Sequence, residues 1–183
     1  MSVYGYHRRT TPTLERLAAE GAVFERAYSN ASWTQPSTAS FMTSLQHSVL
    51  GGTRSQANPV PEQAVTMAEH MHRAGYQTGV FIANPNAGTL QNLQRGVDVM
   101  REGWSEFAYF DGEGFGNHKE SSRFLGETFW RWREAYPGMP YWVHFQSTDV
   151  HGEFPAVAPF SGLFVNPDQM STWNAWHKRL DKE

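Results

Sequence analysis

Apolar side chains recur along this chain in two alternating patterns. Repeats at three- to four-residue spacing, opened by Pro or closed by Gly, predict amphipathic helices. Short runs rich in β-branched and aromatic residues predict strands. The predicted helices run from Pro12 up to Gly21, and over Pro36–Leu45, Glu62–Ala74 and His118–Tyr136. The predicted strands are Ala22–Tyr28, Gln77–Ala83, Trp104–Phe110 and Tyr141–Gln146.

This alternation of helices and short apolar strands predicts an α/β fold with three layers, in which helices flank a mostly parallel central sheet. Ligands of such sheets collect beyond the carboxyl ends of the strands. We therefore expect functional residues in three stretches, Ser29–Ser37, Asn84–Gly88 and Thr148–Phe154.

Amino-acid composition excludes several classes of protein but does not identify the function. The 183 residues carry 15 basic and 18 acidic side chains, a formal charge of -3, with no basic cluster, which argues against a nucleic-acid partner. The 7 Trp, 7 Tyr and 12 Phe favour a folded domain over disorder. Without cysteine, disulfides and thiolate chemistry are excluded. No apolar run is long enough for a membrane span and the first residues lack a signal-peptide pattern, so a cytoplasmic location is the default expectation.

The segment Ser32-Trp33-Thr34-Gln35-Pro36-Ser37 is a hydroxyl-rich turn that leads into a helix. A helix start offers unpaired N–H groups and partial positive charge, so it favours a bound anion or an alkoxide. The segment by itself equally allows a structural role, in which Thr34 or Ser37 caps the helix.

Four motif groups follow one another along the chain. The first comprises Tyr4–Gly21, Phe24 with Ala27-Tyr28-Ser29, and Trp33–Thr43; the second is Gly75–Asn84, the third is Gly96-Val97-Asp98, and the fourth is Tyr141–Phe145 with Asp149–Phe154. In this order they resemble the sulfatase family of the alkaline phosphatase superfamily. The first 45 residues carry the strongest resemblance, because Thr34-Gln35-Pro36-Ser37-Thr38 is similar to the nucleophile motif C/S-x-P-S-R. The resemblance implies an alkaline-phosphatase-like fold and the hydrolysis of sulfate or phosphate esters.

The family motif assigns expected roles to five residues. Thr34 stands at the nucleophile position and is expected to attack directly, because threonine is not converted to formylglycine; phosphate esters and diesters are then at least as plausible as sulfate esters. His151 is expected to contact the transferred group or protonate the leaving group, with Asp149 either orienting it or turning the loop. Asn84 and Ser37 are expected substrate contacts, although Asn84 could simply end its strand. Thr38 replaces the motif arginine.

The resemblance also implies a divalent metal, Ca, Mg, Mn or Zn. The family holds it with carboxylates upstream of Tyr4 and with a later Asp-His-Gly motif, of which Val150-His151-Gly152-Glu153 is at best a degraded copy. The chain therefore looks cut at both ends, and we expect residues 1–183 to form one partial domain that holds metal poorly and has little activity alone.

A partial domain should also be able to self-associate. A sheet without its first strand should expose an edge that allows this.

The competing interpretation, from another functional class, is a non-catalytic module that binds an anion at the start of the same helix. A serine hydrolase is disfavoured, because the sequence has no G-x-S-x-G motif. If the chain belongs to a sulfatase-like hydrolase, its expected partner is a small-molecule sulfate or phosphate ester.

Overall fold

The computed structural model describes residues 1–52, 58–103, 121–151, 160, 162–164 and 166. The chain divides into two compact units. One contains Met1–Tyr28 with the described residues from 160 onward, and the other contains the described residues between Ser29 and position 151. No helix in these ranges is both long and apolar enough to cross a bilayer.

The second unit is built on a sheet of three parallel strands, which confirms the predicted fold class. The strands are β1 (Gln77–Ile82), β2 (Val99–Glu102) and β3 (Tyr141–Gln146). Their order in the sheet is β2-β1-β3, so β1 is central. Its register pairs Val80 with Met100 on one side and with His144 on the other.

Helices cover both faces of this sheet, because alternate side chains of β1 point in opposite directions. On one face, Val80 and Ile82 pack with Trp142, which also contacts the apolar cluster of helix α2 (Thr34–Thr43). On the other face, Phe81 packs against Leu125 and Trp132 of helix α4 (Ser121–Ala135). The layers are therefore helix, sheet and helix.

Two further α-helices lie within the described residues. Helix α1 (Pro12–Glu20) lies in the first unit and ends at Gly21, as predicted. Helix α3 (Met67–Arg73) lies in the second. Short 3-10 helices occur at Ser2–Tyr4, Pro85–Ala87 and Thr89–Gln91.

The predicted strand Ala22–Tyr28 is wrong. These residues form no strand, and Phe24 and Tyr28 are 72% and 88% exposed. Apolar β-forming residues make a strand only when a neighbouring strand supplies hydrogen bonds, and the first unit offers none among its described residues. The run therefore had strand composition without a partner.

Helix boundaries also differ from the prediction. Helix α3 begins at Met67 rather than Glu62, because Thr66 and Glu69 form a reciprocal capping box that fixes the start. Helix α2 begins two residues earlier than predicted, at Thr34. The helix predicted from His118 is described from Ser121 onward, and the predicted strand Trp104–Phe110 lies outside the described residues; β2, just before it, was not predicted.

Candidate active site

The carboxyl ends of β1 and β3 meet at one edge of the sheet. The N–H of Ala83 donates to the carbonyl of Gln146 at 2.9 Å, which holds the two strand ends together just before their loops begin. The loop after β1 starts with Asn84, and the loop after β3 contains Asp149 and His151. Helix α2 reaches this edge too, because it packs against the 3-10 helix Pro85–Ala87.

The first turn of α2 has no side-chain cap. Its cap residue, Trp33, is extended (φ -137, ψ 161) and makes no capping bond. An indole carries a donor and no acceptor, so it cannot serve the helix amides. Pro36 has no N–H, which leaves the amides of Thr34 and Gln35 as the first donors. The structural alternative in which Thr34 or Ser37 caps this helix is therefore wrong.

Asn84 contacts Thr34 directly. Its side-chain Nδ2 donates to Thr34 Oγ1 at 3.3 Å, although 50 residues separate the two in sequence. Its other amide atom, Oδ1, accepts the N–H of Asn86 at 3.0 Å. That second bond sets the orientation of the amide, because only the NH2 group is then left to face the threonine. Both the strand-ending turn and the contact with Thr34 are thus made by one side chain.

Ser37 lies one turn further along α2, and its hydroxyl is 2.7 Å from the hydroxyl of Ser29. Ser29 donates its single hydroxyl proton to the carbonyl of Ala31 at 2.7 Å. The proton in the serine pair must then come from Ser37. Ser37 consequently offers lone pairs to its surroundings while its proton is committed to Ser29.

Asp149 joins the loop after β3 to the start of α4. Its Oδ1 accepts from the hydroxyl of Ser121, and its Oδ2 accepts the N–H of Ser122 at 3.0 Å. Burial raises the pKa of this carboxyl, but the hydrogen bonds from Ser121 and Ser122 outweigh it and hold the pKa below the usual 3.8. Ser121 also accepts the N–H of Thr148 at 2.9 Å. Of the two roles expected for Asp149, these bonds favour turning the loop.

His151 closes the turn that begins at Thr148. Its backbone N–H donates to the carbonyl of Thr148 at 2.9 Å, and the residue is exposed. Its neighbours Gly152, Glu153 and Phe154 lie outside the described residues. The structure thus brings Thr34 and Asn84 into contact and gives Ser37, Asp149 and His151 other hydrogen-bond partners.

The described residues do not fit a divalent cation. They contain no group of three or more His, Asp or Glu side chains placed to hold a metal ion. Asn84 Oδ1 and both oxygens of Asp149 already accept hydrogen bonds. Thr38, at the position of the motif arginine, is only 2% exposed and carries no charge.

The sequence analysis assigned no role in the site to four supporting residues. Ser29 was inside a stretch of interest but was not singled out, and nothing in its spacing identifies it. Asn86 follows an Asn-Pro pair, which is a recognisable turn signal. Ser121 and Ser122 together are a typical helix start, placed inside the predicted helix rather than at its beginning.

In this three-layer α/β fold, the hydroxyl of Thr34 at the uncapped start of α2 lies beyond the carboxyl ends of the parallel strands, where folds of this class bind their ligands. Comparison makes this specific: the chain belongs to the Sulfatase family, whose model matches residues 1–149.

Two individual relatives agree with the family and the fold. An N-acetylgalactosamine-6-O-sulfatase of Bacteroides thetaiotaomicron is 32% identical over 84 residues, which are 44% of this chain and 16% of that protein. The crystal structure of a phosphonate monoester hydrolase of Agrobacterium radiobacter superposes with a TM-score of 0.62 at 17% identity, over 80% of this chain and 37% of that one. The chain therefore spans well under half the length of either relative.

Proposed function

We propose that this chain contributes the nucleophile to a hydrolase site that cleaves sulfate or phosphate esters, including phosphodiesters, with Thr34 as that nucleophile. The observation that carries the proposal is the hydrogen bond from Asn84 to Thr34 Oγ1 at the uncapped start of α2. The printed names of the two proteins support an ester of a tetrahedral sulfur or phosphorus group, since one is named for a sulfate ester and the other for a phosphonate monoester.

The reaction divides into two steps. Thr34 Oγ1 forms a bond to phosphorus or sulfur, its proton passes to a base in the surrounding solvent, and the bond to the ester oxygen breaks. The departing oxygen takes a proton from the side chain of His151, which is exposed in the loop after β3 and regains a proton from solvent. Water then hydrolyses the covalent ester and restores Thr34. Asn84 Nδ2 donates first to Thr34 and then to a nonbridging oxygen of the transferred group.

The energetics explain why we expect little turnover from this chain alone. A helix start stabilises a nearby negative charge by up to about 2 kcal/mol. A hydrogen bond to a charged group adds about 1.5–3 kcal/mol. Together these lower the pKa of a hydroxyl by roughly 3 units, since each unit corresponds to about 1.4 kcal/mol. An aliphatic hydroxyl needs a much larger shift to ionise near neutrality, so a cation or a stronger base must act as well.

The divalent cation that the family resemblance implies would have to be held by groups other than the described residues. Ca, Mg, Mn and Zn are the candidate ions.

The remaining predicted residues take supporting roles in this proposal. Ser37 offers an acceptor rather than a donor, because its proton is committed to Ser29. That arrangement suits contact with a hydroxyl of the substrate better than contact with its anionic oxygens. Asp149 holds the loop that carries His151, through Ser121 and Ser122.

A non-catalytic anion-binding module is the second candidate. It is favoured by the combination of an uncapped helix start and the absence of a metal-ligand cluster among the described residues. In this case the amides of Thr34 and Gln35 and the Asn84 side chain hold phosphate or sulfate, and no bond is broken.

Binding and turnover separate the two candidates. Orthovanadate, phosphate and sulfate would be titrated into the chain while backbone amide NMR shifts of Thr34 and Gln35 are followed. Both proposals expect binding that Asn84→Leu weakens. Only the nucleophile proposal expects vanadate, which accepts a fifth oxygen ligand, to lose at least about tenfold in affinity in Thr34→Val and recover in Thr34→Ser, while sulfate affinity changes little.

Turnover is measured with aryl phosphate, aryl phosphodiester and aryl sulfate in the presence of each candidate metal. Release of the aryl alcohol that survives Thr34→Val would refute Thr34 as the nucleophile. Robust release that Thr34→Val abolishes would contradict the expected inactivity of the isolated chain and confirm the nucleophile. An absence of any anion effect on the Thr34 and Gln35 amides would reject both candidates.

A further inference from the structure

The carboxylate of Glu102 joins the end of β2 to the loop that follows β1. Glu102 is the last residue of β2, and its partner in the sheet register is Ile82, the last residue of β1. One carboxylate oxygen accepts the N–H of Thr89 at 2.6 Å, and the other accepts the hydroxyl of Thr89 at 2.9 Å. The loop therefore leaves the sheet beside Glu102 and is bound by Glu102 again at Thr89.

These two bonds act on the start of the second 3-10 helix in the loop. Thr89 is the first residue of the 3-10 helix Thr89–Gln91, and the residue before it, Gly88, has no side chain that could cap the helix. Glu102 supplies an acceptor for the first amide instead. A Cβ at Gly88 would lie 2.0 Å from Glu102 Oε1, so the glycine leaves room for this oxygen. The carboxylate is therefore packed directly against the backbone of the loop.

Contacts within the loop pass this restraint to its first 3-10 helix, Pro85–Ala87. The two 3-10 helices touch each other, and Gly88 between them donates its N–H to the carbonyl of Pro85 at 3.3 Å. Ala87 is 0% exposed and packs against the side chains of β1. The first 3-10 helix is thereby fixed from two sides, by the apolar core beneath it and by Thr89 after its carboxyl end.

The contact between Asn84 and Thr34 depends on this first 3-10 helix and tolerates little displacement. The N–H of Asn86, inside the helix, donates to Asn84 Oδ1 at 3.0 Å and so orients the amide. The Nδ2 of the same amide lies 3.3 Å from Thr34 Oγ1, just beyond the usual range of about 2.7–3.2 Å. A further shift of roughly 0.3 Å would lengthen the contact to about 3.6 Å, at which no hydrogen bond remains.

We propose that Glu102 is a positioning residue for the site at Thr34, and that its two bonds to Thr89 keep Asn84 within hydrogen-bond distance of Thr34. The inference rests on the proposed function, because it concerns the contact on which that proposal depends. In this role Glu102 acts through the loop and does not bind the transferred group. Its negative charge by itself opposes anion binding, so its benefit to the site comes from geometry.

NMR of the Asn84 side chain tests this positioning directly. The NH2 resonances of Asn84 are assigned by their loss in Asn84→Leu, and Thr34→Val, which lacks the acceptor, gives the shifts of the unbonded amide. Glu102→Ala should move the Asn84 resonances at least about half of the way to their positions in Thr34→Val. Glu102→Gln is the matched control and should leave them near their natural positions, because its amide can accept the Thr89 N–H and donate to the Thr89 hydroxyl. A general loss of stability would not move the resonances of the folded molecules.

Two results of this measurement overturn the proposal. One is that the Asn84 resonances are unchanged in Glu102→Ala. The other is that Glu102→Gln shifts them as far as Glu102→Ala does, because the charge rather than the two hydrogen bonds would then be responsible.

Substitution of Thr89 repeats the test with Glu102 intact, and so covers the case in which Glu102→Ala does not fold. Thr89 is exposed, so its variants should fold. Thr89→Val removes only the hydroxyl bond and should move the Asn84 resonances in the same direction as Glu102→Ala, by less. Thr89→Ser keeps the hydroxyl and should not move them. Identical resonances in Thr89→Val and Thr89→Ser contradict the positioning role.

Sulfate affinity, titrated on the backbone amide of Gln35, measures the consequence for the site. Glu102→Ala and Glu102→Gln remove the same charge, so electrostatics alone would make both bind sulfate equally and more tightly. The positioning role instead requires Glu102→Ala to bind sulfate about fivefold more weakly than Glu102→Gln, which is the equivalent of one ordinary hydrogen bond. Equal affinities contradict it if Asn84→Leu itself weakens binding. Should Asn84→Leu leave sulfate affinity unchanged, the proposed function fails, and the Asn84 resonances alone decide whether Glu102 positions the amide.

Discussion

Replacement of Asp149 by alanine should destabilise the protein through the start of helix α4, with little effect on anion binding at Thr34. The change removes two acceptors, one for the hydroxyl of Ser121 and one for the N–H of Ser122. Hydrogen bonds to a buried charge are worth about 1.5–3 kcal/mol each, but this carboxylate is partly exposed. The range for helix caps, about 0.5–2 kcal/mol, is the better guide. We expect a loss of roughly 1–2 kcal/mol at pH 7.

Thermal unfolding followed by circular dichroism measures this loss. For a chain of this length, 1 kcal/mol corresponds to about 2–4 °C in Tm, so Asp149→Ala should lower Tm by about 2–8 °C. Val150→Ala is the matched control, because Val150 is next in sequence and 95% exposed. It should leave Tm within about 1 °C of the natural chain.

The pH dependence of the difference identifies its cause. The pKa of Asp149 in the folded state is lowered below its usual 3.8. At any pH above the pKa of the unfolded state, the ionised carboxylate therefore stabilises the folded state. This stabilisation is lost as the pH falls through the lowered native pKa. The Tm difference between the natural chain and Asp149→Ala should thus be largest near neutrality and shrink as the pH falls below the usual pKa of 3.8. A Tm difference that is absent at pH 7, or that stays constant down to pH 2, would refute the stabilising role of Asp149 at the start of α4. If Asp149→Ala instead weakened anion binding without lowering Tm, Asp149 would be a substrate contact.

Three other substitutions test the framework around the site. Gly88→Ala should cost about 1–3 kcal/mol in urea unfolding, because a Cβ there would lie 2.6 Å from Cδ1 of Ile82, which is 0% exposed, and 2.0 Å from Glu102 Oε1, which accepts the N–H of Thr89. Leu125→Ala should cost about 2–5 kcal/mol in the same measurement, because Leu125 is 0% exposed under α4; a smaller loss would show that α4 is loosely packed. Ser29→Ala frees the proton of Ser37, so phosphate affinity measured by calorimetry should stay equal or rise, and a fall would contradict the assigned proton positions.

The sequence predicted those elements whose patterns are local and complete. Strand Tyr141–Gln146 was predicted with its observed boundaries, and the strand from Gln77 to within one residue, because β-forming runs there are bounded by Pro and Gly or by an Asn-Pro turn. Helix α3 shows what apolar periodicity cannot determine. The apolar spacing predicted a start at Glu62, whereas the capping box of Thr66 and Glu69 makes the helix begin at Met67. That T-x-x-E signal was readable in the sequence.

The strand predicted over Ala22–Tyr28 failed for a different reason. Its composition favours a strand, but hydrogen bonds must come from a neighbouring strand, and composition cannot report whether one exists. The same limit applies to the order β2-β1-β3 of the described strands, which is set by their positions in space rather than by their order in the sequence.

The sequence by itself determined the α/β alternation, the membership implied by the nucleophile motif, and the identity of Thr34 and Asn84 as candidates. Only the tertiary structure decided that Asn84 reaches Thr34, that Ser37 gives its proton to Ser29, and that Asp149 bonds to the start of α4. The physical reason is the distance in sequence between the residues that interact. Helix starts and turns depend on neighbouring residues, whereas a hydrogen bond between side chains 50 residues apart depends on how the sheet brings its loops together.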